Sequence, residues 1–258
     1  MNFLITAGGT AEYIDPVRSI TNSATGRLGS LIADELARRE ETGAIWYICG
    51  KGAIRPQSPR AEILPVGDTA ALEAGVRRVL ESRRIDGIIH TMAVSDYRVS
   101  ALTTPRRMAE SLSAILENRP PTGGPLSPGE LLRGIQQAPA LDRREKIDSG
   151  EPNLILMLEP TVKVISLLRE LAPAAILVGF KLLHDAPRET LITAAYALLR
   201  KNDCDFVLAN DARDIQGDRH AACLIDREKR ISPYGDKQAI AQGIVSRVLE
   251  KLKEKSGP

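Results

Sequence analysis

The sequence predicts an α/β fold in which a doubly wound, mainly parallel sheet carries helices on both faces. Three observations lead there. Short runs that are apolar throughout recur along the chain, amphipathic helical stretches lie between them, and the first run ends in Gly8-Gly9 before a helix. A strand with no polar side needs cover on both faces, and a helix crossing between two such strands leaves them parallel.

The elements follow in order. Phe3-Leu4-Ile5-Thr6-Ala7 predicts a strand over 2–7. Some fifteen residues then separate Gly8-Gly9 from a helix near 26–40 with Leu28, Leu31, Ile32 and Leu36 on one face. A strand over 44–49 and an extended piece near 61–66 come next. Leu72, Val76, Val79 and Leu80 mark a helix over 69–84, followed by strand Gly87-Ile88-Ile89-His90. Strands over 154–158, 175–178 and 206–209 are expected, the first two joined by a helix over 161–171. Leu191, Ile192, Ala195, Leu198 and Leu199 predict a helix over 187–201. A hairpin over 222–232 and a helix over 236–254 end the chain. Residues 100–150 break this rhythm with Pro120-Pro121-Thr122-Gly123-Gly124-Pro125, Ser127-Pro128-Gly129 and helix-like pieces near 106–117 and 129–137. The expected organisation is one domain over 1–258 with an irregular insertion or flap at about 100–150 that is either a functional lid or a connection.

Composition narrows the function. The 258 residues are 43% hydrophobic, enough for a sizeable core. A net charge of +2 with 26% charged residues is too balanced for a nucleic-acid stripe, and 3% aromatics leave no stacking platform. Neither a membrane span nor a signal peptide is expected, so the reading is a cytoplasmic protein. Cys49, Cys204 and Cys223 lack metal-ligand spacing and read as buried thiols.

Five stretches carry candidate chemistry. A glycine turn between strand and helix presents backbone N–H groups to an anion, aided by the helix dipole, and the turn over 8–26 adds Arg18 and Asn22. It is too long for a dinucleotide fingerprint. His90-Thr91-Met92-Ala93-Val94-Ser95-Asp96 ends a strand with small residues and a carboxylate, although Asp96 also suits a turn cap. Arg143 to Gly150 holds Lys146 where the insertion returns; such a lysine can close over an anion, but the charge pattern alone reads as a solvated run. Phe180 and Lys181 end another strand, and Lys201 closes the next helix, where it equally suits the helix dipole. Ala209-Asn210-Asp211 is weak alone. All five are expected at strand carboxyl ends, where one pocket would gather them. His184 and His220 fall in polar loops, and no nucleophile elbow or metal-binding histidine pair is present.

Gly8-Gly9-Thr10-x-Glu12-x-Ile14-Asp15-x-Val17-Arg18-x-Ile20-Thr21-Asn22-x-x-Thr25-Gly26 resembles the phosphopantothenate–cysteine ligases of coenzyme A biosynthesis. So do Ala93-Val94-Ser95-Asp96-Tyr97, Lys146-Ile147, Val178-Gly179-Phe180-Lys181-Leu182-Leu183 and Lys201-Asn202, and the wording looks like the stand-alone bacterial form. The resemblance implies a Rossmann-like ligase, working as a homodimer with Mg2+. It would join 4′-phosphopantothenate and L-cysteine through an acyl nucleotide made from CTP, with ATP possible as the nucleoside triphosphate. It implies that Asn22 binds the acyl oxygen, that Arg18 binds substrate or holds its loop, and that Lys146 on a mobile flap holds the anionic intermediate. It places the nucleotide on Gly8, Gly9, the backbone of His90, Thr91 and Met92, and on Asp96, Lys146, Phe180 and Lys201. Ala197 stands where many relatives carry a lysine, which leaves that phosphate contact missing or supplied by Lys181 or Arg200. Two other readings stay open: an NADP-dependent oxidoreductase and a non-enzymatic nucleotide-sensing module. The second strand ends Cys49-Gly50-Lys51, without the acidic residue that grips an NAD ribose.

Overall fold

A computed structural model describes residues 1–118, 124–151 and 153–256. In chain order the elements begin with β1 (Phe3–Ala7), β2 (Ala11–Tyr13), β3 (Ser19–Thr21), α1 (Arg27–Ala37), β4 (Ile45–Gly50), β5 (Ala61–Val66) and α2 (Thr69–Ser82). There follow β6 (Gly87–His90), β7 (Tyr97–Thr103), α3 (Pro105–Glu117), α4 (Pro128–Gln137), β8 (Ile155–Pro160), α5 (Val164–Leu171) and β9 (Ile176–Leu183). The last are α6 (Arg188–Lys201), β10 (Phe206–Gln216), β11 (Arg219–Asp226), β12 (Ile231–Asp236) and α7 (Lys237–Ser256). They fall into two compact units, one of Met1–Ala11, Thr21–Ser95 and Val162–Pro258, the other of Glu12–Ile20 and Asp96–Thr161.

The first unit is an eight-stranded sheet in the order β12-β11-β10-β9-β6-β1-β4-β5. From β10 to β5 every pair is parallel, and β11 and β12 are antiparallel. The doubly wound fold expected from the sequence is therefore present. Strand β1 shows why it forms. Phe3, Ile5 and Ala7 enter a core with Ile32 and Leu36 of α1 and Ile240, Ile244 and Val248 of α7. Leu4 enters the opposite core, with Leu72 and Val76 of α2, Leu168 of α5 and Leu199 of α6. Every residue of β1 is buried, so the strand holds only while both helical layers are in place. Strand order reverses beside β1, with β4 and β5 added on one side and β6, β9 and β10 on the other. In such sheets a crevice opens at that point.

Several expectations change. The run over 154–158 reads as another buried sheet strand, but β8 pairs antiparallel with β7 in a separate two-stranded ribbon of the second unit. Its residues alternate between half-buried and exposed, with Leu158 48% exposed, and an uninterrupted apolar run conceals that alternation. His220, expected in a polar loop, is buried on β11. Strand β10 runs on past the parallel ladder because it continues into a hairpin with β11, pairing Ile215 with His220. The long turn after β1 contains the short strands β2 and β3, which pair with each other.

The second unit is more regular than its composition suggests. Thr104 caps α3 by accepting from the Arg107 amide at 3.3 Å, and Ser127 and Glu130 form a capping box on α4. The two helices meet where the Ser111 hydroxyl donates to the Gly134 carbonyl at 2.8 Å. The Leu141 amide donates to the Leu102 carbonyl at 2.7 Å, which fastens the chain after α4 to β7. Pro120 to Gly123 of the proline-rich run lie outside the described residues. No helix among the described residues is long and apolar enough to cross a membrane.

Because Ile5 sits fully buried on the central strand, Ile5→Ala is expected to lower unfolding free energy by about 3 kcal/mol in a denaturant titration. A loss below about 1 kcal/mol would show that the core beneath α1 and α7 does not close on β1.

Candidate functional site

The carboxyl end of β1, where the strand order reverses, is built from backbone brought unusually close. Gly8 takes a φ of +79°, and a Cβ there would lie 2.6 Å from the Ala53 Cβ. Gly9 abuts the carbonyl oxygen of Asn22, so any side chain at Gly9 would displace the Asn22 peptide. Both positions need glycine, one for conformation and one for room. The Ala93 amide donates to the Gly8 carbonyl at 2.8 Å, and the Thr10 amide to the Ala93 carbonyl at 3.2 Å, which ties the two strand exits together.

Hydroxyls fasten the rest. The Thr21 hydroxyl donates to the Thr10 carbonyl at 2.8 Å. Thr10 Oγ1 is fully buried and accepts from the Ser95 amide at 2.9 Å. Asn22 is exposed, and its Nδ2 donates to the Val94 carbonyl at 3.1 Å, two residues before Asp96 in the chain. That bond fixes the amide plane while leaving Oδ1 as an acceptor and the second N–H as a donor. Helix α1 begins after Gly26, which offers no side-chain cap; the Arg27 amide donates to the Thr25 hydroxyl at 3.3 Å, and no acidic residue in the first turn offsets the positive end.

The His90 side chain turns inward. It is buried, and its Nδ1 lies 2.7 Å from the Thr6 hydroxyl. Burial lowers its pKa to about 4, so the ring is neutral at pH 7. Thr91 donates from both its amide and its hydroxyl to the Thr6 carbonyl, each at 2.9 Å, and Met92 is buried. At the carboxyl end of β6 this stretch therefore presents mainly backbone. Phe180 is half-buried on β9, two residues past the Ile89–Val178 pair and so level with Thr91.

Lys201 is not brought to this place. It is exposed at the end of α6 that leads into β10, the edge of the sheet opposite Gly8 and His90. A helix that returns from the carboxyl end of one parallel strand must finish at the amino end of the next, which the spacing of motifs along a sequence conceals. The Arg143 to Gly150 run likewise precedes β8 and follows α4, so it does not sit at a strand carboxyl end.

In the second unit, Arg18 and the peptide beside Lys146 are connected through Asp15, a residue given no role of its own by the sequence. Asp15 accepts from the Val17 and Arg18 amides at 2.9 and 2.7 Å and from Arg18 Nε at 2.9 Å. Its other contact is the Ile147 amide at 3.3 Å, and Arg18 Nη2 donates to the Ile147 carbonyl at 2.7 Å. Burial opposes the charged form of Asp15, but the donated hydrogen bonds outweigh it and hold its pKa at about 2. Lys146 is exposed, next to the clamped Ile147. Arg143, read as part of a solvated run, donates to the Ile14 carbonyl at 2.9 Å, to Val99 at 2.8 Å and to Tyr13. Asp15 followed by proline was a visible turn signal; nothing in the charge run marked Arg143. Asp96 is exposed at the start of β7, and its carbonyl accepts from the Thr161 amide at 3.0 Å.

Two buried imidazoles give the fold a pH dependence. His220 is also lowered to about 4, by burial first and then by the Lys237 charge. In the unfolded chain these rings titrate near 6.5, so between about 6.5 and 4 the unfolded state binds more protons and stability falls with falling pH. Calorimetry is expected to give a steady Tm above pH 7 and a drop of several degrees by pH 5. A flat profile across that range would contradict the burial of both rings.

Residues 1–117 and 138–252 match the DNA/pantothenate metabolism flavoprotein C-terminal domain. The coenzyme A biosynthesis bifunctional protein CoaBC of Thermococcus kodakarensis is 31% identical over 226 residues, which are 87% of this chain and 45% of that protein. The chain spans about half the length of the curated relatives it matches, with 45% to 52% of three of them covered. The crystal structure of the DNA/pantothenate metabolism flavoprotein from Streptococcus pneumoniae shares 30% identity at a TM-score of 0.78, covering 97% of this chain and 99% of that one. The C-terminal domain of a CoaBC protein shares the fold at 20% identity and a TM-score of 0.67, covering 98% of this chain and 96% of that one. With most of the chain matched by that domain, the chain is a member of the DNA/pantothenate metabolism flavoprotein C-terminal domain family.

Proposed function

We propose that this chain is a phosphopantothenate–cysteine ligase of coenzyme A biosynthesis. The carboxylate of 4′-phosphopantothenate attacks the α-phosphorus of a nucleoside triphosphate, CTP or ATP, and pyrophosphate leaves. The amine of L-cysteine then attacks the acyl carbon of the mixed anhydride. An amide forms, a proton is lost from nitrogen, and the nucleoside monophosphate departs. Neither step requires a protein nucleophile, so the work left to the chain is positioning and charge neutralisation.

The observation that carries this reading is the Asn22 side chain. It is exposed beyond the carboxyl end of β1 in the first unit, and its orientation is set by the Val94 carbonyl and by the contact of its own peptide with Gly9. An amide held this way offers a directed hydrogen-bond donor to an acyl oxygen whose negative charge grows as the amine attacks. Gly8, Gly9 and the start of α1, which has no acidic residue in its first turn, offer an anion-binding turn for the phosphates. The backbone from His90 to Met92 and the Phe180 ring border the place for the nucleoside. Lys146 supplies the cation for the intermediate, and Asp96 accepts from the substrate's hydroxyl or amino groups. Arg18 takes the second of its two expected roles, holding a loop. The reading includes Mg2+ carried on the phosphates of the nucleotide; no three His, Cys, Asp or Glu side chains among the described residues form a metal-holding group. A homodimer is part of the same proposal.

Pyrophosphate release should require 4′-phosphopantothenate together with CTP or ATP, and amide product should require cysteine as well. Asn22→Ala and Lys146→Ala are each expected to lose on the order of 100-fold in turnover while keeping the wild-type melting temperature. Near-normal turnover in both would remove the assignment, as would nucleotide turnover that ignores phosphopantothenate.

A further inference from the structure

Lys146 is expected on a mobile flap, yet the peptide beside it is gripped from both sides. The Ile147 amide donates to Asp15 Oδ2 at 3.3 Å, and the Ile147 carbonyl accepts from Arg18 Nη2 at 2.7 Å. The two gripping side chains are themselves joined, with Arg18 Nη2 and Asp15 Oδ2 2.7 Å apart. The Asp15 side chain has no exposure to solvent, whereas Lys146 next to the grip is exposed. Ile147 is also buried, with 5% of its surface exposed, which adds an apolar anchor to the two polar ones. Three residues earlier than Lys146, Arg143 is held by the carbonyls of Tyr13, Ile14 and Val99. The lysine thus stands on a short span fixed at both ends, and its free length is the side chain.

We infer that Asp15 is a positioning residue for the ligase reaction: with Arg18 it clamps the Ile147 peptide and thereby sets where Lys146 can reach. The clamp is specific in its chemistry. A carboxylate takes the N–H and a guanidinium takes the C=O of one peptide, so both polar groups are satisfied by charged partners, whose hydrogen bonds are about twice as strong as neutral ones. Replacing the carboxylate with an amide keeps the shape but removes the charge that holds Arg18. It also leaves a buried amide whose NH2 faces donors. The peptide then samples other orientations, and a lysine that must meet a developing negative charge loses its fixed position, which costs rate more than binding. This inference rests on the role given to Lys146 in the ligase reading.

The test is a double-mutant cycle on the full chain with Asp15→Asn, Lys146→Ala and the double variant, read as turnover with 4′-phosphopantothenate, CTP and cysteine. Asp15→Asn is expected to lower kcat about tenfold with KM changed less than threefold, and the double variant to be no slower than Lys146→Ala. Hydrogen exchange at the Ile147 amide should speed up at least tenfold in Asp15→Asn, without faster exchange in β1. Losses that multiply in the double variant would overturn the inference, because a merely structural carboxylate acts independently of the lysine. Unchanged exchange at Ile147 would overturn it too. If Asp15→Asn fails to fold, Arg18→Lys takes its place in the cycle with the same criteria. Normal turnover of Lys146→Ala alone would mark failure of the role assigned to that lysine, and Asp15 would then have nothing to position.

Discussion

Close approach of backbone to backbone at the end of β1 governs the first unit. The Gly9 peptide lies against the Asn22 carbonyl, Gly8 bends with a positive φ beside Ala53, and the Gly8 carbonyl accepts the Ala93 amide. Three separate stretches of chain are locked together without using a charged side chain. The polar side chains at the junction, Thr6, Thr10, Thr21 and Ser95, spend their hydrogen bonds on holding one another and the backbone. What remains directed outward is the Asn22 amide and the start of α1. Such a place suits chemistry in which the protein orients reactants and stabilises charge without forming a bond to them.

The second unit reaches order by a different route. It has few fully buried apolar side chains, and neither α3 nor α4 holds a large core; the one buried residue of α4 is Gly134. Charged groups on backbone take up much of the task. Arg143 fills three carbonyls, Arg107 donates to the Ala140 carbonyl at 2.9 Å, and Asp15 collects four donors. Hydrogen bonds to charged groups are stronger than neutral ones and fix direction as well as distance. Segments held this way can be precise while burying little apolar surface, and Lys146 stands exposed beside one of them.

The sheet was legible in the sequence because β1, β4, β6, β9 and β10 are apolar at nearly every position, a pattern that only two-sided burial explains. Helices α1, α2 and α6 were legible from their spacing, and α3 and α4 were visible only as short helix-like pieces inside an irregular stretch. The β8 strand misled, because its exposed Leu156 and Leu158 are as apolar as buried residues would be. His220 misled in the other direction: its polar neighbours suggested a loop, while the hairpin placed it inside.

By itself the sequence determined the α/β class and the glycine turn, since these depend on local pattern and on a short, distinctive motif, whereas Asn22 and Lys146 were singled out through the family resemblance. The tertiary structure decided which side chains of those motifs point outward. It turned His90 in toward Thr6 and placed Lys201 at the far edge of the sheet. It also made a clamp of Asp15 and Arg18 around Ile147, and drew Arg143 out of an apparently solvated run. Each of these outcomes depends on residues far apart in the chain. Asp15 and Ile147 are 132 positions from one another, and no local pattern records which distant amide a carboxylate will meet.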